Sequence, residues 1–109
     1  VYASNRGFDD NWVIRRNQPH ELALAGYIYE PKSGRKMEVL TTQPGVQIYA
    51  ANWVEKQTGK YGKEYDAQCA ICLETQGFPA SPAYPHFPSP VLRPGEKYDE
   101  WCIYKFSAE

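Results

Sequence analysis

Few residues in this chain have the type and surroundings that carry chemistry, and Glu74 stands first among them. It sits in the stretch CAICLETQGFP, residues 69–79, where small and apolar residues run from Ala70 to Leu73 and a carboxylate then follows in line. A carboxylate in such a run must be hydrogen-bonded, kept protonated or turned to water. Held in apolar surroundings it gains basicity and becomes a candidate for proton transfer. Turned to water it is an ordinary strand-end residue. Gln47 is an amide inside the apolar strand pattern VQIYAANW. It must find hydrogen bonds, either from the fold or from a ligand. Asp9 and Asp10, within Gly7-Phe8-Asp9-Asp10-Asn11, read as ligand groups or as plain turn formers. His20 lies in a polar turn and reads as solvated. His86 lies among prolines and aromatics and reads as structural or as part of a site's rim.

No Ser-His-Asp spacing, phosphate loop or metal-ligand cluster appears. Carboxylates, amides and aromatics in that setting have the make-up of a sugar site. Sugar hydroxyls pair with Asp, Glu, Gln and Asn, and the C–H faces of the ring pack on Trp, Tyr and Phe.

The elements that must position these groups are strands. The chain has 109 residues, enough for one domain with a modest core. Its 9 prolines and 8 glycines cut it into short pieces filled with Tyr, Trp, Val and Ile, and no stretch sustains a helical apolar period. That is an all-β composition. The pattern predicts a loop over residues 1–11, a strand over 12–16 and a turn over 17–20. A long strand over 21–30 has Leu22, Leu24, Gly26 and Ile28 on one face and Ala23, Ala25, Tyr27 and Tyr29 on the other. Being apolar on both faces, it is expected to be central. Pro31-Lys32-Ser33-Gly34 is a tight turn into a strand over 35–42, forming a hairpin. Further strands are expected over 46–53, 69–76 and 97–106. Residues 54–66 read as a polar loop. Residues 77–94 read as an irregular proline-rich segment pinned by aromatics. The sum is about six strands in a sandwich-like arrangement. They carry more apolar surface than they can bury, so a partner surface is expected.

A net charge of −1 with no basic stripe argues against a nucleic-acid partner, and no apolar run approaches a membrane span. Cys69, Cys72 and Cys102 are odd in number, and the first two point to opposite faces of an extended strand. Structural thiols and a reducing, cytoplasmic home are expected. The first residue is Val1 rather than Met, so a chain cut, processed or incomplete at its N-terminus is expected.

Five blocks in order then match a family. They are Gly7-Phe8-Asp9-x-Asn11; residues 41–52, TTQPGVQIYAAN; Cys72-Leu73-Glu74-Thr75-Gln76-x-x-Pro79; Phe87-Pro88-Ser89 with Leu92-Arg93-Pro94-Gly95-Glu96; and Tyr104-Lys105-Phe106-Ser107. At these spacings the chain resembles the C-terminal third of the galactose mutarotase (aldose 1-epimerase) family. The resemblance implies a share of a large β-supersandwich. It implies interconversion of the α and β anomers of a free hexose such as galactose or glucose, without a cofactor. Glu74 matches the base that takes the anomeric proton, Asp9 an aspartate that holds sugar hydroxyls, and Gln47 a glutamine near the sugar. The family's acid histidines, and an arginine and an asparagine that bind the sugar, belong to its N-terminal two thirds. Neither His20 nor His86 matches them. Asp10 stands where the family often has His.

The resemblance therefore implies a complementary N-terminal chain or fragment that completes the site. Two alternatives remain open from the residues. The chain could serve as a non-catalytic sugar-binding or scaffold subunit, or the fold could act on a different substrate.

Overall fold

A computed structural model describes residues 7–109 of the chain. The part of the N-terminal loop reading that covers residues 1–6 lies outside them. Eight strands follow in order: β1 Asp9–Val13, β2 Ala23–Glu30, β3 Arg35–Thr41, β4 Gly45–Tyr49, β5 Gln57–Thr58, β6 Glu64–Tyr65, β7 Cys72–Gln76 and β8 Cys102–Ala108. Six of them form two three-stranded antiparallel sheets, ordered β1-β4-β7 and β2-β3-β8, and β5 and β6 make a small ribbon. The all-β expectation holds, with the sandwich drawn from six strands.

The predicted hairpin is β2–β3, in register from Glu30 opposite Arg35. Glu30 closes it by accepting hydrogen bonds from the backbone of Lys32 (2.9 Å) and Ser33 (2.7 Å). Gly34 has φ of 69°, the left-handed conformation that the turn demands.

Several strand limits differ from the sequence pattern, each for a physical reason. Asp9, Asp10 and Asn11 are turn formers by type, yet β1 begins at Asp9, because β4 offers backbone partners from Asp9 opposite Tyr49 to Val13 opposite Gly45. Tertiary pairing overrides local preference here. β2 is not central. It lies at the edge of its sheet among the described residues, with Leu24 and Tyr27 exposed, and β3 takes the central place. Its alternation also breaks. The register slips between Leu24 and Gly26, so these two residues face opposite sides. β4 ends at Tyr49, because Ala51 turns into the left-handed region at φ of 51° and Asn52 points inward, 1% exposed. β8 starts at Cys102 rather than residue 97, after a turn at Gly95 (φ 88°) in which Glu96 accepts from the Arg93 N–H at 2.7 Å. Cys69 is exposed in a turn ahead of β7 rather than inside a strand, and all three cysteines are free.

The proline-rich segment is pinned as expected. Phe87 packs against Phe78 and against Tyr84, each at 5.2 Å between ring centres. The buried Ser81 hydroxyl donates to the Phe78 carbonyl.

The two sheets meet at Val39 and Val46, which are buried. Beside them is a small cavity of about 80 Å³ lined by Gly26, Ile48 and Leu73 among others. The chain passes from β3 to β4 through a buried corner. There the Thr41 hydroxyl donates to the Trp101 carbonyl at 2.8 Å and the Thr42 hydroxyl accepts from the Trp101 N–H at 2.8 Å. Arg16 donates to the carbonyls of Glu21 (3.1 Å), Thr42 (2.6 Å) and Gln43 around the same corner. Elsewhere large apolar side chains stay open, including Tyr27, Trp101 and Phe106. The excess of apolar surface read from the sequence is present among the described residues.

A second tie joins the sheets. The Tyr104 hydroxyl of β8 donates to the Leu73 carbonyl of β7 at 2.8 Å. Burial pushes this phenol above its ordinary value of 10.0, followed by hydrogen bonding with Cys102 and then the nearby charges of Cys102, Glu74 and Cys72. Raised in the folded state, it contributes stability that is intact below about pH 10 and fades as pH climbs through the folded-state value. Tyr104→Phe is expected to lower stability at neutral pH by about 0.5–1 kcal/mol, the low end because the residue is half exposed. Urea unfolding at neutral and alkaline pH checks this. The deficit relative to wild type should shrink above about pH 10, as the wild-type contribution is lost.

Candidate functional site

The register of the β1-β4-β7 sheet determines which side chains can act together. Asn11 pairs with Gln47, and Gln47 pairs with Glu74, so these three form a row across the sheet. Side chains alternate along a strand. Asp9, Asn11, Gly45, Gln47, Tyr49, Cys72, Glu74 and Gln76 therefore share one face. Asp10, Trp12, Val46, Ile48, Leu73 and Thr75 share the other, and Val46, Ile48 and Leu73 line the cavity between the sheets. The three residues singled out in the sequence, Asp9, Gln47 and Glu74, thus come together on the same face.

Within that face Gln47 Nε2 donates to Asp9 Oδ1 at 2.9 Å. This charge-assisted bond fixes the amide's orientation. It leaves Gln47 Oε1 shielded and without a hydrogen-bond partner. Gln47 finds one of its needed partners in the fold and has one still to find. Glu74 is exposed among the described residues. Strand alternation turns it away from the apolar side that Leu73 faces, so burial is not what marks it out. Its position directly beside Gln47 is.

Asp9 is held in place from behind. Asn52 is buried, and its Nδ2 donates to the Phe8 carbonyl at 2.8 Å, which also accepts from the Ala50 N–H at 3.0 Å. These bonds fix the backbone immediately before Asp9. The sequence pattern read Asn52 as part of a strand. Its role as a staple shows only once β4 ends early.

The other candidates lie elsewhere. Asp10 sits on the opposite face, with Oδ2 shielded and unpartnered. His20 is in its turn with Nδ1 3.5 Å from Glu100 Oε1, beside an open hollow of about 900 Å³ that Gln43, Tyr98 and Glu100 also line. His86 packs on Phe87 and Tyr84, at 4.5 and 5.9 Å between ring centres. Neither histidine is on the site face. Asn11 is one residue on that face whose own part the sequence reading did not weigh. Its spacing of two from Asp9 could have found it, had β1 been read as starting at Asp9.

This surface can accept a proton at Glu74 and can exchange hydrogen bonds with several hydroxyls through Asp9, Gln47 and Asn11. A profile described as Aldose 1-epimerase matches residues 2–105 of the chain.

The chain belongs to the aldose 1-epimerase family.

Among its relatives, the galactose mutarotases of Bos taurus and Homo sapiens are each 41% identical over 102 residues, covering 93% of this chain and 29% of their own length. The aldose 1-epimerase of Escherichia coli is 27% identical over 106 residues, 95% of this chain and 30% of its own. In three dimensions the chain resembles the crystal structure of a GalM/aldose epimerase homologue from C. elegans. The TM-score is 0.76 at 32% identity, covering 93% of this chain and 30% of that one. The chain thus spans about 30% of the length of these relatives. The all-β fold of this aldose 1-epimerase family member agrees with the reading from its sequence blocks.

The geometry makes a direct prediction at Gly45. A Cβ added there would lie 2.8 Å and 2.9 Å from the amide atoms of Asn11 and 3.1 Å from the Phe78 ring. Gly45→Ala should therefore displace the Asn11 carboxamide. The stability cost should be about 1 kcal/mol or less, because a flexible side chain gives way rather than the backbone. A crystal structure of the variant with its thermal midpoint checks both parts, and an unmoved Asn11 amide would contradict the packing described.

Proposed function

We propose that this chain supplies the base and part of the sugar-binding surface of an enzyme that interconverts the α and β anomers of a free hexose, galactose or glucose. The observation that carries the proposal is the gathering of Asp9, Gln47 and Glu74 on one sheet face in a chain of the aldose 1-epimerase family. The printed names of its relatives, galactose mutarotase and aldose 1-epimerase, support the substrate class.

In the proposed reaction the sugar lies over β4. Glu74 removes the proton from the anomeric hydroxyl. The electron pair of that O–H bond forms the carbonyl at C1, the bond from C1 to the ring oxygen breaks, and the ring oxygen takes a proton from an acid. C1 rotates, and the ring closes on its other face by the reverse steps. Reactant and product have the same atoms and the same oxidation state, so proton transfer and positioning are all the reaction needs. Asp9 and Gln47 hold hydroxyls away from the reacting carbon. A histidine from a complementary N-terminal portion serves as the acid. The open apolar side chains, including Trp101 and Phe106, are surface that such a portion would cover.

Polarimetry of freshly dissolved hexose tests the proposal. The chain joined with its N-terminal portion should accelerate the approach to the anomer equilibrium, and the chain alone should not. Glu74→Gln in the joined protein should lower kcat by roughly 10²–10⁴-fold, the usual range for losing a general base. Full activity in Glu74→Gln would remove Glu74 from its role. Sugar binding with no rate enhancement would instead favour a non-catalytic sugar-binding subunit.

A further inference from the structure

Glu74 stands on a strand with a sheet neighbour on one side. Among the described residues β7 pairs with β4 and lies at the edge of its sheet. An edge strand has ladder bonds along one side and an open row of backbone groups along the other. β7 gains a tie from the opposite sheet. Tyr104 of β8 reaches across and donates its hydroxyl to the Leu73 carbonyl at 2.8 Å. Leu73 directly precedes Glu74, and neither the sequence pattern nor the proposed reaction gives Tyr104 a part in the chemistry.

The Leu73 carbonyl and the Glu74 N–H belong to one peptide unit. That unit is planar, so holding its oxygen limits how the Glu74 backbone can rock. Pairing with Gln47 restrains the same residue from the β4 side. The restraint matters because Glu74 is exposed. Its side chain is not wedged in place by packing and takes its direction from the backbone. A general base must stand within hydrogen-bond reach of the proton it takes, and a small misplacement is costly in rate. The phenol is suited to hold this place at neutral pH. Burial first, then the hydrogen bond with Cys102, then the charges of Cys102, Glu74 and Cys72 raise it above its ordinary value, so it keeps the proton it donates. That the Glu74 charge acts on it also places the phenol near the base.

We propose that Tyr104 is a positioning residue for the base, its hydroxyl holding the Leu73–Glu74 peptide and, through it, the Glu74 carboxylate in line with the anomeric hydroxyl. The proposal rests on the reading of Glu74 as base and extends it to a residue of the other sheet. Tyr104 acts through Glu74 and does not touch the sugar. Its contribution is therefore made at proton transfer and not in binding, and it disappears when the base itself is removed.

The experiment is a double-mutant cycle on kcat and KM for galactose or glucose, using the chain joined with the complementary N-terminal portion proposed above. Its members are wild type, Tyr104→Phe, Glu74→Gln and the double variant. Tyr104→Phe should lose roughly five- to tenfold in kcat, the worth of one neutral hydrogen bond, with KM changed by less than about twofold. In the Glu74→Gln background the same substitution should cost less than about twofold, because the base it positions is gone. Placing 4-aminophenylalanine at residue 104, whose para N–H also donates, should restore kcat. A purely structural role would keep its factor in the Glu74→Gln background, and that result overturns the inference. So does a loss that falls on KM, or a change in kcat below about twofold. Should Tyr104→Phe melt too low to assay, Tyr104→Met also lacks the donor and must show the same dependence on Glu74. A wild-type protein that interconverts no hexose anomers, or a fully active Glu74→Gln, overturns the functional reading and this inference together. A wild type that needs Glu74 but is indifferent to Tyr104 overturns the inference alone.

Discussion

The buried corner between β3 and β4 is the constraint on which the rest depends. In three residues, 42–44, the chain leaves one sheet and enters the other. Such a crossing exposes backbone groups that no ladder can pair, and burying them unpaired would cost about 1–3 kcal/mol each. The sequence answers with side chains. Thr41 and Thr42, both buried, bond to the backbone at Trp101, and the Thr42 hydroxyl also meets the Glu100 carboxylate. Arg16 gathers three carbonyls from two segments. A guanidinium suits this task because its donors are fixed in one plane and it keeps its charge. The corner thereby sets where β4 begins, and β4 is the middle strand of the site sheet.

From that start the chemistry follows by register. Gly45 opens β4, Gln47 comes two residues later, and the neighbours of Gln47 on either side are Asn11 and Glu74. A slip of one residue would turn Gln47 into the gap between the sheets and bring Val46 or Ile48 to the site face. The apolar packing of Val46 against the other sheet is therefore also what keeps the polar row facing outward. Stability and function are set by the same alternation. Asn52 adds a further restraint by bonding the Phe8 carbonyl just ahead of Asp9, which in turn accepts from Gln47.

Much of this was legible in the sequence, and the failures have common causes. The hairpin at residues 31–34 was readable because proline and glycine there specify the turn itself. Gln47 and Glu74 were readable as polar residues in apolar strands. The start of β1 was not, because Asp9, Asp10 and Asn11 are turn formers whose preference yields to pairing with a strand distant in sequence. The edge position of β2 was hidden for a similar reason. Its two apolar faces suggest a central strand, and only the slip at Ala25 and the sheet order correct that reading. Glu74 was found through an argument about burial, whereas its position is defined by exposure beside Gln47. What ties it to the proposed role is its place in the CLETQ block, not the apolar run before it. Asn11 was passed over because its place beside Gln47 shows only in the register of β1 with β4.

The central claim is that one hexose lies across β4 with its anomeric carbon at Glu74. A crystal structure of the chain joined with the complementary N-terminal portion proposed above, soaked with galactose or glucose, tests it most directly. The account predicts the anomeric hydroxyl within hydrogen-bond reach of the Glu74 carboxylate, and other ring hydroxyls on Asp9 and Gln47. A sugar bound instead in the hollow beside His20 and Tyr98, with the face carrying Asp9, Gln47 and Glu74 empty, would contradict it.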